Sequence, residues 1–237
     1  METHSIPALR SYRIQIVSSF DELIATPFQG GINALCWSRH LPGDFRAITD
    51  QLPTDDGITS IGDDDLLALT LSPAGAVARE VLLADQALLR GHGLAPSLDC
   101  ITGYAEDGAD GPIPTDVYSF HADSAPVPAD TYLCTYIGSS SEGLANEAAI
   151  RRVDVPDTRA QLLQSFGGAD DADFAAYLSD QCFDLHYWPR PGALPYPFGL
   201  GNLWRIAIVY PGCPVLPCIH RAPLRLPGAA ARLLLIS

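Results

Sequence analysis

The chain has no lysine: all 14 of its basic residues are Arg, set against 28 acidic residues, for a formal charge of −14 over 237 residues. Schiff-base catalysis needs an amine that can lose its proton, and P-loop nucleotide binding and protein-kinase chemistry each need a phosphate-contacting Lys, so all three are excluded. The acidic surface repels phosphate backbones and anionic head groups, which argues against nucleic acid and membranes as partners. No run of about 18 apolar residues occurs, and Met1 to Arg13 lack the basic and apolar regions of a secretory signal, so a cytoplasmic location is expected. Cys36, Cys100, Cys134, Cys182, Cys213 and Cys218 form no CxxC pair. They read as reduced, mostly buried thiols rather than as a zinc ribbon or a disulfide framework. A GxSxG elbow is also missing, which disfavours a serine hydrolase.

What the chain has is apolar bulk. Hydrophobic residues make up 47% and charged ones 18%, enough to offset chain entropy and fold. No internal repeat interrupts it, and Pro and Gly are spread out, so a single domain over 1–237 is expected. The segment 1–96 reads as a mixed, largely helical support. It has an apolar run at Ile32–Trp37, an acidic loop at Asp55–Asp65 and helical spacing over Pro73–Arg90. From Ser97 the pattern changes to short apolar or alternating runs at Ser97–Tyr104, Val117–His121, Thr131–Ile137, Ala149–Val153, Trp204–Tyr210, Val215–His220 and Arg232–Ile236. A helical insertion at about 156–183, with helices at Thr158–Phe166 and Asp171–Cys182, is placed to cover a site. These patterns predict a mainly β fold with helical support (α+β), in which 97–237 forms an antiparallel jelly-roll, a double-stranded β-helix barrel.

His121 and Asp123 stand two apart at the end of a predicted strand, so their side chains share a face. His220 ends a second strand about a hundred residues later. Two imidazoles and a carboxylate form a facial triad that holds a metal and leaves coordination positions open. An HxD pair alone arises often by chance in turns. The second feature is Arg232, twelve residues after His220 at the start of the last strand. A guanidinium grips a carboxylate through two parallel hydrogen bonds and keeps its charge. Taken alone, Arg232 reads as a residue of a terminal edge strand facing water.

With His121, Asp123, His220 and Arg232 in this order, the sequence resembles the Fe(II)/2-oxoglutarate-dependent oxygenase superfamily, whose strand-borne His is followed by an Arg roughly ten residues on. The resemblance implies Fe(II) on the three ligands and 2-oxoglutarate anchored by Arg232, with Arg225 as the fallback for that role. It implies hydroxylation of a small-molecule or peptide-like substrate. Asp123 separates the chain from the halogenating branch, where chloride takes the carboxylate's position. A closer resemblance covers most of the chain: ALCWSR at Ala34–Arg39, FHAD at Phe120–Asp123, LCTYIG at Leu133–Gly138, and Val209–Pro223 ending in HRAP. These are similar to a bacterial domain-of-unknown-function family with HxD, CTYxG and HRSP-like motifs and no settled activity. The chain departs from it at Ser139–Gly143, where a TEW-like stretch is expected, and at Thr131–Tyr132, where the family tends to place an Arg.

Along Thr131–Ile137, Tyr132, Cys134 and Tyr136 share one face and Leu133, Thr135 and Ile137 the other. If the tyrosine face looks into the barrel, Tyr132 or Tyr136 can donate a hydroxyl to the cosubstrate; otherwise both are outward aromatics. His186, in an aromatic stretch after the insertion, is either a substrate contact or a structural residue. Two rival functions use the same ligands: a cupin-type metal enzyme without 2-oxoglutarate, and a non-catalytic metal-binding barrel protein.

Overall fold

The computed structural model describes residues 13–52, 57–104, 113–224 and 230–237. From the N-terminal side, β1 (Ile14–Val17) leads through α1 (Phe20–Ala25) to β2 (Ala34–Trp37). Helix α2 (Arg46–Thr49), β3 (Ile58–Ser60), α3 (Asp63–Ala68) and the long α4 (Pro73–Gly91) precede β4 (Ser97–Ile101). Then come β5 (Phe120–His121), β6 (Asp130–Ile137), β7 (Glu142–Leu144) and β8 (Ala149–Arg151), followed by α5 (Pro156–Phe166) and α6 (Ala172–Asp180). The last strands are β9 (His186–Pro189), β10 (Tyr196–Pro197), β11 (Leu203–Ala207), β12 (Ile219–Arg221) and β13 (Arg232–Ile236).

The strands form a seven-stranded sheet, ordered β1-β2-β11-β6-β13-β4-β3, and a six-stranded sheet, ordered β10-β7-β12-β5-β9-β8. The architecture is therefore mixed α and β around two sheets. The segment 1–96 is more than a helical support, because β1, β2 and β3 extend the larger sheet at both edges. Among the described residues, pairing between the named strands is antiparallel except between β1 and β2, which run parallel with α1 as their connection. Of the expected acidic loop at Asp55–Asp65, Asp55 and Asp56 lie outside the described residues, and Ile58–Ser60 form β3. Asp63, Asp64 and Asp65 open α3, where carboxylates suit the positive end of a helix and Asp65 accepts from the Gly62 N–H at 2.8 Å.

Helix α4 is the main support. Ser72 caps it by accepting from the Gly75 N–H, Pro73 sits in its first turn, and Arg90 lies in its last. Its buried stripe, Ala78, Leu82, Asp85, Gln86 and Leu89, follows helical spacing and packs with Leu23, Ile48 and Leu66 of the other helices onto the larger sheet. The sheet's opposite face supplies Cys36, Leu133, Trp204, Ile206 and Leu234. They pack with Tyr196 of β10 and Cys218 beside β12, so this second layer lies between the sheets. The inserted helices close on Phe174, Leu162, Leu178 and Phe183, packed with Ile113 and Val153. Asp171 caps α6 by accepting from the N–H groups of Asp173 and Phe174.

Gly138, which ends the LCTYIG run, has a positive φ of 86°. A Cβ there would lie 2.9 Å from the Arg232 Cα, so only glycine allows β6 to turn against β13 at this point.

Candidate metal centre

Strand β5 is only two residues long, and its pairing sets the centre. His121 lies directly opposite His220 of β12 on one side and His186 of β9 on the other. The antiparallel register holds the His121 and His220 rings 4.6 Å apart between centroids. Asp123 lies just beyond the strand, where its carbonyl accepts from the Val209 N–H at 2.8 Å. Its Oδ1 is 3.7 Å from His121 Nε2, and its Oδ2 is 3.7 Å from His220 Nε2. One ligand atom from each of the three lies within 4.8 Å of the others, a spacing that could hold a metal ion.

The surroundings prepare these groups for a cation. The Ser119 carbonyl accepts from His121 Nδ1 at 2.8 Å, which puts the ring proton there and leaves the Nε2 lone pair toward the carboxylate. Burial, with the neighbouring His220, lowers the His121 pKa to about 4, so the imidazole is neutral near pH 7. Burial works to raise the Asp123 carboxyl, but His220 and the Thr131 hydroxyl, which donates to Oδ2 at 2.6 Å, outweigh it and hold Asp123 below its ordinary value. Two imidazoles and a carboxylate make a donor set suited to a divalent transition metal.

A cleft of about 210 Å³ opens beside the triad, lined by His121 and Asp123 and by Asp116, Cys182, Leu185 and His186 among others. The insertion reaches this cleft through Cys182 and Leu185. His186 is buried, its Nδ1 lies 2.9 Å from the Ser119 hydroxyl, and that hydroxyl donates to the Asp116 carbonyl at 2.8 Å. Ser119 thus orients two histidines, one through its carbonyl and one through its side chain. No sequence pattern marked Ser119; its position two before His121 is the one signal.

Arg232 is only 6% exposed and has no carboxylate partner among the described residues. Its guanidinium donates to the hydroxyls of Tyr104 at 2.9 Å, Thr135 at 3.1 Å and Ser141 at 2.7 Å, while its Nε is buried without a partner. Desolvation lowers its pKa, the opposite of what a resident anion does. Tyr104 also packs edge-on against Tyr118, three residues before His121, so the arginine pocket adjoins the strand that carries the first ligand. Arg225 lies outside the described residues.

The tyrosine face of β6 points the other way. Tyr132, Cys134 and Tyr136 pack into the layer under the helices, and the Tyr136 hydroxyl donates to Asp85 Oδ2 of α4 at 2.7 Å. Arg39 holds both Asp85 oxygens, at 2.7 and 2.8 Å, and lies 4.5 Å above the Trp37 ring. Tyr132 and Tyr136 are therefore not in the arginine pocket. Thr135, on the opposite face, takes that place. The buried Asp85 was missed, although a carboxylate on the apolar stripe of α4 signals a buried cationic partner.

Comparisons with protein-family models, with curated proteins and with solved structures find no match to this chain.

Proposed function

We propose that the chain is a non-haem Fe(II)/2-oxoglutarate-dependent oxygenase that hydroxylates a small or peptide-like substrate. The strand order supports a jelly-roll core. β4, β13, β6 and β11 lie in sequence-crossing order in the larger sheet, and β5, β12, β7 and β10 do so in the smaller one, as in a double-stranded β-helix.

The observation that carries the reading is Arg232. A guanidinium this deeply buried, held by three neutral hydroxyls and with one N–H unpartnered, is a site prepared for a carboxylate. Combined with a His-Asp-His donor set, it favours a cosubstrate that has a carboxylate at its far end over a cupin enzyme or metal-binding barrel that needs none.

When bound, Fe(II) and 2-oxoglutarate supply the oxidation: substrate C–H, O2 and 2-oxoglutarate become C–OH, succinate and CO2. The protein's residues supply position. His121, Asp123 and His220 would hold the metal, with Ser119 fixing the His121 tautomer. Arg232, Thr135, Ser141 and Tyr104 would orient the carboxylate. His186 and Asp116 line the cleft in which a substrate would lie beside the triad. Cys182 and Leu185, in the chain just after α6, line the same cleft and would flank a bound substrate.

The test is anaerobic titration of metal-free protein with Fe(II) and then 2-oxoglutarate, following the weak visible charge-transfer band. Its appearance in the wild type and loss in Arg232→Met would support the reading. Metal binding with no such band would favour an enzyme or binding protein that does not use 2-oxoglutarate.

A further inference from the structure

The hydrogen bond from Thr131 to Asp123 spans the two sheets. Thr131 lies near the start of β6 in the larger sheet, and Asp123 follows β5 in the smaller one. The main chain around Asp123 is already clamped: the Val209 N–H donates to its carbonyl, and the Ala125 N–H donates to the Val209 carbonyl at 2.9 Å. Only rotation of the Asp123 side chain remains free, and the Thr131 hydroxyl stops it by binding Oδ2 at 2.6 Å. Thr131 is β-branched and in a strand, so its own rotamer is restricted and the hydroxyl direction is set by the backbone. Each oxygen lies 3.7 Å from one imidazole, Oδ1 from His121 Nε2 and Oδ2 from His220 Nε2, but Oδ2 already accepts from Thr131 whereas Oδ1 has no hydrogen bond among the described residues.

We propose that Thr131 is the positioning residue of this metal site: its hydroxyl engages Asp123 Oδ2 so that the carboxylate offers a metal one oxygen, Oδ1. The consequence is a count of open positions. A carboxylate free to turn can chelate through both oxygens and close a position that a cosubstrate or oxygen would need; the Thr131 hydroxyl occupies one lone pair of Oδ2 and disfavours that turn, leaving Oδ1 as the oxygen with both lone pairs free. Two sheets must keep their relative position for this to work, so the β6 strand of the larger sheet tunes ligands carried by the smaller one. The inference rests on reading His121, Asp123 and His220 as a metal site.

The experiment uses the full chain, metal-free, titrated with Mn(II) by electron paramagnetic resonance and with Co(II) by visible absorption. Thr131→Val and Thr131→Ala should bind Mn(II) about 10- to 100-fold more weakly, and Thr131→Ser should stay within about 3-fold of wild type. The Co(II) bands should move in the first two variants and not in Thr131→Ser, a signature that loss of packing alone would not give. Should Thr131→Val fail to fold, Thr131→Ala against Thr131→Ser carries the comparison. Wild-type affinity and an unchanged Co(II) spectrum in the variants without a hydroxyl, with binding lost in His121→Ala, would overturn the role of Thr131 alone. Absence of Mn(II) and Co(II) binding by the wild type would overturn the metal-site reading and this inference with it.

Discussion

His121 and His220 are register partners in adjacent antiparallel strands, with their rings 4.6 Å apart. The ladder between β5 and β12 fixes the backbone positions of both, and the Ser119 carbonyl holds the His121 ring, so the two imidazoles are presented together. His121→Ala and His220→Ala should each abolish tight Mn(II) binding, and the double variant should be no worse than either. Calorimetric titration checks this; a single variant that retains wild-type affinity would remove that histidine from the ligand set.

Arg232→Met removes the one buried cation from the hydroxyl pocket. Metal affinity should change little, while 2-oxoglutarate binding to the metal-loaded protein should weaken by about 10- to 100-fold, as for a lost charge-assisted hydrogen bond. Arg232→Lys should not restore it, because a single ammonium cannot present a two-pronged donor to a carboxylate. Equilibrium dialysis with labelled 2-oxoglutarate reads both.

Asp85→Ala leaves Arg39 buried without its partner and removes the acceptor of the Tyr136 hydroxyl. Both side chains of the ion pair are under 10% exposed, at 8% and 4%, so solvent does not compensate. A loss of about 3–5 kcal/mol in unfolding free energy is expected from urea denaturation. Tyr136→Phe should cost less, about 1–3 kcal/mol, and should leave 2-oxoglutarate binding intact because its hydroxyl faces α4. Impaired cosubstrate binding in Tyr136→Phe with normal stability would contradict this placement.

Burial pushes the thiols of Cys36 and Cys134 up to about 12 from an ordinary value of 9.0. Between these values the unfolded chain loses thiol protons that the folded chain keeps, so stability is full below about pH 9 and falls as pH rises toward 12. The slope is at most about 1.4 kcal/mol per pH unit for each thiol. Urea midpoints measured across this range should decline, and a Cys36→Ala, Cys134→Ala variant should decline less steeply. Equal slopes would show that other groups govern alkaline unfolding.

Periodicity made much of the secondary structure legible. The helices at Pro73–Gly91, Pro156–Phe166 and Ala172–Asp180 fall within two residues of where helical spacing and, for the last, acidic opening residues placed them, and β6 and β13 match their expected runs within a residue. Strands β7, β9 and β10 were not legible, since strands of two to four residues carry too few side chains to show alternation and exist through their partners. β1 and β3 were hidden in a segment whose helices dominate the pattern.

The chain alone named His121, Asp123 and His220 as a group, from an HxD pair and a distant strand-end His, and the fold brings the three together; Arg232 was named through a family resemblance, and the fold buries it among hydroxyls. The absence of Lys excluded amine chemistry before any fold was known. Which face of β6 meets the arginine was decided only in three dimensions. Residues of β6 are buried on both sides, under helices on one face and against the second sheet on the other, so alternation defines two faces without saying which is which. The same holds for Thr131 on Asp123, Ser119 on His186 and Asp85 on Arg39: each is a contact between segments far apart in the chain or a turn of backbone that no local pattern encodes, and tertiary packing alone brings them within a hydrogen bond.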